Sequence, residues 1–300
     1  MPKKVVLGGT FDHVHMGHVK LIEKAFEEGD VTIGLVSDEM LKEWKPQVER
    51  SYEKRKKNLE NFLASKENWE IVKISDPYSK AVEGDFDTLV VSSETKERGE
   101  EINRKREKIG KQPLEIIEVK PVVAEDFLPI SSTRIRNDEI DEYGDRLTPV
   151  KVNVECTDTE EFEAVKDLMS DFFECDLNRR SVNFSEDDLE VPDGFDYVIN
   201  LAIESENLEG EQLFVEKAVI KDKLGFTSHG HSPELRIPDK WIRSKNKLDL
   251  FNSLKVVGEE LENDFDPVGM ITGEATDTKG YIKSAIVDAL LPRMRGDLYS

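Results

Sequence analysis

The stretch VVLGGTFDHVHMGH, Val5 to His18, decides the fold because it joins a short apolar run to two glycines, a threonine and three histidines. The apolar run predicts a buried strand, and the amphipathic spacing after it predicts a helix that ends at Gly29. A glycine turn between strand and helix allows a ligand to approach the backbone closely. A zinc site, a nucleotide-binding turn and ordinary strand–turn–helix packing are all open at this point.

The alternation of strand and helix continues through the first half of the chain. Strands separated by helices form parallel sheets with right-handed crossovers. The first half therefore predicts a doubly wound α/β domain with helices on both faces of a parallel sheet. Its predicted strands are Val5–Gly9, Val31–Val36, Glu70–Ile74, Thr88–Ser92 and Glu115–Val119.

The length of 300 residues predicts two domains. The polar segment 137–150 contains a glycine and a proline and is the predicted boundary, which gives domains at 1–145 and 149–300. The second domain is also predicted to be α/β, with longer, antiparallel strands. Its predicted strands are Val150–Glu155, Tyr197–Glu204 and Glu211–Lys221, and its predicted helices are Glu160–Phe173, Ser244–Glu262 and Tyr281–Arg293.

Composition excludes several classes of protein. The net charge of −22 argues against a general nucleic-acid binder, because contacts to phosphates need a basic surface. The chain contains neither an apolar run of about 18 residues nor a signal-peptide pattern, so we expect a cytoplasmic protein with no membrane partner. Cys156 and Cys175 form no CxxC pair, so they are predicted to be buried, free thiols.

His15 and His18 lie at the predicted start of the first helix and are three residues apart, so both side chains can face one anion. The free amides and the dipole of a helix start attract phosphate. A metal site is less favoured because no third Cys or His ligand lies nearby. Capping or packing of the turn is the structural alternative, and His13 is predicted to be a loop residue without a role.

A second polar cluster, PISSTRIR, runs from Pro129 to Arg136. Its hydroxyl groups suit the start of a helix, and Arg134 and Arg136 could pair with phosphate oxygens. Alone, this segment would be an ordinary capped helix. Two phosphate-binding helix starts in one doubly wound sheet instead predict a nucleotide polyphosphate.

Thr10, HMGH at 15–18 and ISSTRIR at 130–136 together resemble the HxGH and ISSTxxR motifs of the nucleotidylyltransferase superfamily. GGTFDHVHMGH, GLVSDEM and EDFLPISSTRIR specifically resemble the archaeal phosphopantetheine adenylyltransferases, over residues 1–140. The resemblance implies that the adenylyl group of ATP, which Mg²⁺ accompanies, is transferred to 4′-phosphopantetheine to give dephospho-CoA and pyrophosphate. A cytidylyltransferase or FAD synthetase would share both motifs, and a non-catalytic nucleotide sensor is a third hypothesis.

The resemblance also implies residue roles. Thr10 would orient the attacking phosphate, and His18 would stabilise oxygens of the transition state. Lys42, with Lys45 as the alternative, would bind the incoming phosphate. The loop SSETKERG at 92–99 replaces an Arg-rich loop of bacterial relatives, which leaves the adenosine contacts unassigned. The implied catalytic and nucleotide-binding residues are Gly8, Gly9, Thr10, Phe11, His15, Gly17, His18, Lys42, Ser131, Ser132, Thr133 and Arg136.

The second half resembles the inosine/xanthosine triphosphatase-like family in three stretches, VNVECTDTEEFEAVKDLM, FDYVINLAIES and VGMITGEATDTKGYIKSAIVDALLPRM. Asp158 and Glu161 stand where that family has the Asn and Lys that grip a triphosphate. Like charges repel, so triphosphate should bind poorly there. The acids that crowd this place are Glu155, Asp158, Glu160, Glu161 and Glu163.

The remaining sites of that family are also altered. Glu204 falls at the position of a metal-binding acid, but the glycines that should follow it are absent. His229 and His231 are predicted to lie in a solvated loop. We therefore expect a degenerate domain that serves stability, regulation or homo-oligomerisation. An active hydrolase of ITP or XTP is the alternative.

Overall fold

The computed structural model contains two compact units. The first comprises Met1–Ala124, Pro129–Leu147 and Tyr299–Ser300, and the second comprises Glu125–Leu128 and Thr148–Leu298. Among the described residues, no helix is both long and apolar enough to cross a membrane. The structure describes residues 2–45, 47–48, 50–156, 159–180, 189–208, 211–231 and 278–299.

The first unit is built on a five-stranded parallel sheet, as the sequence predicts. Its strands are β1 (Lys3–Gly9), β2 (Gly29–Val36), β3 (Trp69–Ile74), β4 (Thr88–Ser92) and β5 (Glu115–Val119). They lie in the order β3-β2-β1-β4-β5, so β1 is central and the chain winds away from it in both directions. In sheets of this kind, ligands bind beyond the carboxyl ends of the strands at this switch point.

Helices cover both faces of this sheet. Successive side chains of a strand point to opposite faces, so neighbouring residues of β1 pack against different helices. Val5 and Leu7 pack in one core cluster with residues of the first and third helices, whereas Val6 packs in another with residues of the fourth and fifth. The helices are α1 (Met16–Glu28), α2 (Asp38–Trp44), α3 (Tyr52–Leu63), α4 (Ser79–Glu83), α5 (Lys96–Lys108) and α6 (Ser132–Arg136).

The second unit has a mixed five-stranded sheet in the order β10-β9-β8-β6-β7. The predicted antiparallel pairing holds for β8 with β9, but it is wrong for β6, which is parallel to both of its neighbours. The helix α7 follows β6 and returns the chain, which makes the next strand parallel. The elements are β6 (Val150–Glu155), α7 (Thr159–Phe172), β7 (Cys175–Arg180), β8 (Tyr197–Leu208), β9 (Glu211–Asp222), β10 (Thr227–His231) and α8 (Thr278–Met294).

The sequence prediction missed both edge strands of this second sheet. β7 has the sequence CDLNRR, which lacks the apolar alternation of a buried strand, and β10 is rich in Gly, Ser and His. Gly230 of β10 lies against α8, where a Cβ atom would collide with the Ala285 carbonyl oxygen. The predicted helix Ser244–Glu262 lies outside the described residues.

Both cysteines are free, as predicted. Cys156 is buried, but Cys175 is only half-buried because it begins the edge strand β7. The prediction of burial is therefore right for Cys156 and only partly right for Cys175.

Candidate functional site

The turn that follows β1 is tightly constrained. Phe11 is fully buried and has a φ of 49°, a left-handed conformation that is uncommon for a residue with a side chain. A Cβ atom on Gly9 would lie 2.8 Å from Cε2 of the Phe11 ring. Gly9 therefore has to be glycine for the Phe11 ring to fold back against the end of the strand.

Three arginines hold this turn. Arg55 Nη1 donates to the Thr10 carbonyl oxygen at 2.8 Å, and Arg50 Nη1 donates to the Asp12 carbonyl oxygen at 2.9 Å. Arg136 Nη1 donates to Asp12 Oδ2 at 2.7 Å. Two of these guanidinium groups are also paired with carboxylates, Arg55 with Asp38 and Arg136 with Asp12.

His15 and His18 lie side by side at the start of α1. His15 is the N-cap residue of that helix, and the centroids of the two imidazole rings are 3.9 Å apart. The Phe11 ring lies 4.8 Å from that of His18. The structure thus brings together both histidines of the HMGH motif and the turn after β1.

Both imidazoles are held in the neutral form. Burial, with smaller contributions from His18 and His13, lowers the pKa of His15 to about 2. Burial also lowers the pKa of His18 to about 4, opposed by a hydrogen bond with the backbone of His13 and assisted by the charge of Lys45. At neutral pH each ring therefore carries one N–H rather than a positive charge, and the N–H of His18 is engaged by the backbone of His13.

Three polar atoms of the site are buried without a hydrogen-bond partner in the part of the chain that the structure describes. They are Asp12 Oδ1, His15 Nδ1 and His18 Nδ1. Buried polar groups in folded proteins normally have partners, so an unpaired group calls for a specific explanation. Three such atoms in two adjoining segments indicate a region arranged for a polar ligand.

The segment ISSTRIR joins the first motif at this place. Ser131 is the N-cap of α6, and its Oγ accepts from the Arg134 amide at 3.4 Å. Ser132 Oγ donates to the His13 carbonyl oxygen at 3.3 Å. Thr133 Oγ1 accepts from Arg136 Nη2 at 3.0 Å. Side chains of α6 therefore contact two residues of the loop between β1 and α1.

Arg134 does not share this surface. It is buried, its Nε donates to Glu139 Oε2 at 3.2 Å, and its Nη1 donates to the Pro129 carbonyl oxygen at 3.1 Å. The expectation that Arg134 adds charge for phosphate oxygens is wrong, since its guanidinium is engaged inside the protein. Arg136 is partly buried, and its guanidinium is bonded to Asp12 and Thr133, which belong to the two motif segments.

The two lysines of the sequence prediction belong to the helix that follows β2. Lys42 is in the last turn of α2, and Lys45 follows as the C-cap residue of that helix. Both are exposed, and the charge of Lys45 contributes to the lowered pKa of His18. The charge of Lys45, the alternative in the sequence prediction, thus acts on the predicted active-site histidine.

Sequence reasoning missed Asp12, Arg50 and Arg55. Arg55 carries a detectable signal, because it shares the buried face of α3 with Leu59 and Leu63 at helical spacing. A charged residue on an apolar face is buried at a cost unless it is fully bonded, so its position indicates an internal role. Asp12 and Arg50 carry no comparable signal in a single sequence.

Within the described residues, no group of three or more His, Cys, Asp and Glu side chains could hold a metal ion. Mg²⁺ commonly binds proteins through few carboxylates together with substrate phosphates. The donor set therefore fits a magnesium ion that enters on a phosphate ligand.

The predicted phosphatase site of the second unit is only partly described. Glu155 ends β6 half-buried and accepts from Asn153 Nδ2 at 3.3 Å, and Glu161 is buried in α7. Glu163 Oε2 lies 3.7 Å from Lys166 Nζ. The places of Asp158 and of the Glu160 and Glu204 side chains lie outside the described residues.

The two histidines of this unit lie on a strand rather than in the predicted loop. His229 and His231 alternate with Ser228 and Gly230 along β10, and both are exposed. The His231 amide donates to Asp288 Oδ2 at 3.1 Å.

Known proteins match both halves of the chain. The sequence model of the Cytidylyltransferase-like family matches residues 6–138, a range that contains both motifs. The phosphopantetheine adenylyltransferase of Methanosarcina acetivorans is 51% identical over 151 residues, which are 48% of this chain and 95% of that protein. The chain belongs to the phosphopantetheine adenylyltransferase family. The resemblance read from the two motifs is confirmed.

Within the phosphopantetheine adenylyltransferase family, some members share the full length. The bifunctional phosphopantetheine adenylyltransferase/NTP phosphatase of Thermoplasma volcanium is 33% identical over 98% of this chain and 97% of that protein. The protein of the same name from Thermoplasma acidophilum is 31% identical over 98% of this chain and 97% of that protein. The second unit is therefore part of an architecture that recurs in this nucleotidyltransferase family.

Proposed function

We propose that the first unit transfers the adenylyl group of ATP to 4′-phosphopantetheine, giving dephospho-CoA and pyrophosphate. The observation that carries this proposal is the meeting of the two motifs at the carboxyl end of β1. Arg136 contacts Asp12 at 2.7 Å, and Ser132 contacts the carbonyl oxygen of His13 at 3.3 Å. A site assembled from both motifs suits a ligand with several phosphates, and the names of the family members support the choice of substrates.

The chemistry needs no protein nucleophile. The phosphate of 4′-phosphopantetheine is an anion at neutral pH, and one of its oxygens attacks the α-phosphorus of ATP while the bond to the β-phosphate oxygen breaks. The protein contributes position and charge stabilisation. Magnesium enters as part of the MgATP substrate, and the compartment we propose is the cytoplasm.

The proposed roles follow from the resemblance of the two motifs to those of the family. Thr10 orients the attacking phosphate at the turn after β1. His18, whose pKa of about 4 keeps its imidazole neutral at pH 7, exchanges its hydrogen bond with the His13 backbone for one to an oxygen of the α-phosphate. Lys42 binds the incoming phosphate, with Lys45 as the alternative. The β- and γ-phosphates are held by His15, Ser131, Ser132, Thr133 and Arg136, and Gly8, Gly9, Phe11 and Gly17 shape the backbone around them.

A pyrophosphate-release panel tests the substrate pair. It crosses ATP and CTP with 4′-phosphopantetheine, FMN and glycerol 3-phosphate, with Mg²⁺ throughout. We expect fast release only with ATP and 4′-phosphopantetheine. Fast release with CTP or FMN would assign a related nucleotidylyltransferase activity instead, and nucleotide binding without release from any pair would identify a sensor.

A second candidate function is hydrolysis of nucleoside triphosphates by the second unit. The full-length Thermoplasma relatives favour it through their names. Glu155 and Glu161 disfavour it, because carboxylates near a triphosphate repel it. We propose on this ground that the unit is degenerate, and homo-oligomerisation through it stays a prediction.

The full chain with His18→Ala distinguishes the two readings of the second unit. This variant is incubated with ITP or XTP and Mg²⁺, without 4′-phosphopantetheine. If the second unit is degenerate, we expect no release of pyrophosphate above the rate in buffer alone. Steady release of pyrophosphate would establish the hydrolase and overturn the degenerate reading.

A further inference from the structure

Arg55 is buried completely and is bonded on all sides of its guanidinium group. Nη1 donates to the Thr10 carbonyl oxygen at 2.8 Å, and Nε donates to the Arg50 carbonyl oxygen at 3.0 Å. Nη2 donates both to the Val36 carbonyl oxygen and to Asp38 Oδ1, each at 2.8 Å. One side chain thus makes four charge-assisted hydrogen bonds.

Three of these four hydrogen-bond acceptors belong to segments on the side of the proposed site that receives the incoming phosphate. Thr10 follows β1, and Val36 is the last residue of the neighbouring strand β2. Asp38 is the first residue of α2, the helix that carries Lys42, and its Oδ2 accepts from the Tyr52 amide at 2.9 Å. Arg55 therefore fixes the end of the central strand relative to α2.

We propose that Arg55 is a positioning residue for adenylyl transfer, which sets the spacing between Thr10 and the lysine-bearing helix α2. The inference rests on the proposed function, because Thr10 and Lys42 are the groups assigned there to the incoming phosphate. Arg55 touches no substrate in this account. It acts through the backbone of Thr10 and through the N-terminus of α2.

The contacts of Arg55 predict a selective effect. None of its four acceptors lies in the segments 15–18 and 130–136, which carry the side chains proposed to hold the phosphates of ATP. Loss of the contacts should therefore displace the attacking phosphate more than ATP. A misplacement of about 1 Å can lower turnover about 10²-fold.

Lysine cannot replace this arginine. Its ammonium is a compact point charge, whereas the planar guanidinium reaches several acceptors in a fixed fork. Arg55→Lys keeps the positive charge and loses most of the four hydrogen bonds. It therefore distinguishes the effect of the hydrogen-bond geometry from the effect of the charge.

Arg106 provides a matched control in the same unit. It is also buried, and it too donates to backbone carbonyl oxygens, but none of them belongs to either motif. The acceptors of Arg106 are the carbonyl oxygens of Ala81, Val82, Gly84 and Gln112. Arg106→Lys should therefore lower the free energy of unfolding in the same way, while the residues of the two motifs keep their positions.

The experiment compares kcat and both KM values of the wild type, Arg55→Lys and Arg106→Lys, at a temperature where circular dichroism shows all three folded. We expect both variants to lower Tm. Arg55→Lys should also lower kcat about 10²-fold and raise KM for 4′-phosphopantetheine well above any change for ATP. Arg106→Lys should leave kcat and both KM values within about twofold of wild type.

Equal losses of kcat in the two variants, or an unchanged kcat in Arg55→Lys, would overturn the inference. If Arg55→Lys does not fold, Asp38→Asn removes one ionic contact and leaves the carbonyl contacts in place. It should show the same selective rise in KM for 4′-phosphopantetheine, about 10-fold, and an unchanged KM would again overturn the inference. A wild-type chain without adenylyl transfer would instead refute the proposed function.

Discussion

Asp12 Oδ2 accepts a hydrogen bond of 2.7 Å from Arg136 Nη1, although 124 positions separate the two residues. Asp12 is 1% exposed and belongs to the loop after β1, and Arg136 ends α6. This contact joins the two motifs, and loss of either partner would leave the other charge buried and unpaired. The oxygen Asp12 Oδ1 stays buried without a partner among the described residues.

The first prediction concerns Arg136 and its neighbour Arg134. Arg136→Ala removes a guanidinium that faces the proposed phosphate site, and a hydrogen bond to a charged group contributes about 1.5–3 kcal/mol. We expect KM for ATP to rise about 10-fold or more. Steady-state kinetics with 4′-phosphopantetheine at saturation measures this effect.

Arg134→Ala is the control for that measurement. Its guanidinium is bonded to Glu139 and to the Pro129 carbonyl oxygen, so its loss should lower Tm without raising KM for ATP. A similar rise in KM for ATP in both variants would refute the assignment of Arg136 to the phosphates.

The second prediction separates the two lysines. Lys42→Ala should raise KM for 4′-phosphopantetheine about 10-fold and leave KM for ATP unchanged, since it removes one charged partner of the incoming phosphate. Lys45→Ala should raise the pKa of His18, because the charge of Lys45 contributes to lowering it. NMR titration of the imidazole measures that shift. The assignment fails if Lys45→Ala raises KM for 4′-phosphopantetheine as much as Lys42→Ala does.

The third prediction concerns stability at acid pH. The folded pKa values of His15 and His18, about 2 and about 4, lie below the ordinary value of 6.5. The unfolded chain therefore binds more protons below pH 6.5, and the stability due to the neutral rings is lost as the pH falls from 6.5 towards 4. At pH 5, the lowered pKa of each histidine should have reduced the free energy of unfolding by about 2 kcal/mol.

Urea denaturation at pH 7 and pH 5 measures this loss, and the double variant His15→Gln/His18→Gln is the comparison because its carboxylates are unchanged. Between pH 7 and pH 5, we expect the free energy of unfolding of the double variant to fall by about 4 kcal/mol less than that of the wild type. Equal losses in the two proteins would show that both histidines titrate normally.

The sequence was sufficient for the first sheet and for the pairing of the motifs. Five apolar runs separated by amphipathic segments can form only a few parallel arrangements, and the carboxyl ends of adjacent strands meet at one edge. The motifs themselves mark that edge. The positions of the five strands were therefore predictable to within two residues.

Other features depend on tertiary contacts and left little trace in the sequence. The edge strands β7 and β10 pair on one side only and carry polar residues, so their composition resembles that of loops. Arg134 and Arg136 are two positions apart, yet one is internal and the other faces the site. Arg55 finds its acceptors on two elements, β2 and α2, and on two connections, which only the folded chain brings together.

Adenylyl transfer by wild type and His18→Ala, measured as pyrophosphate released from ATP and 4′-phosphopantetheine with Mg²⁺, tests the central claim most directly. His18 is the donor proposed to stabilise the α-phosphate oxygens, and loss of one such donor costs about 10²-fold or more in kcat. The account predicts a wild-type chain that turns over this pair and a variant at least about 10²-fold slower with a similar Tm. Wild-type turnover in His18→Ala would contradict it.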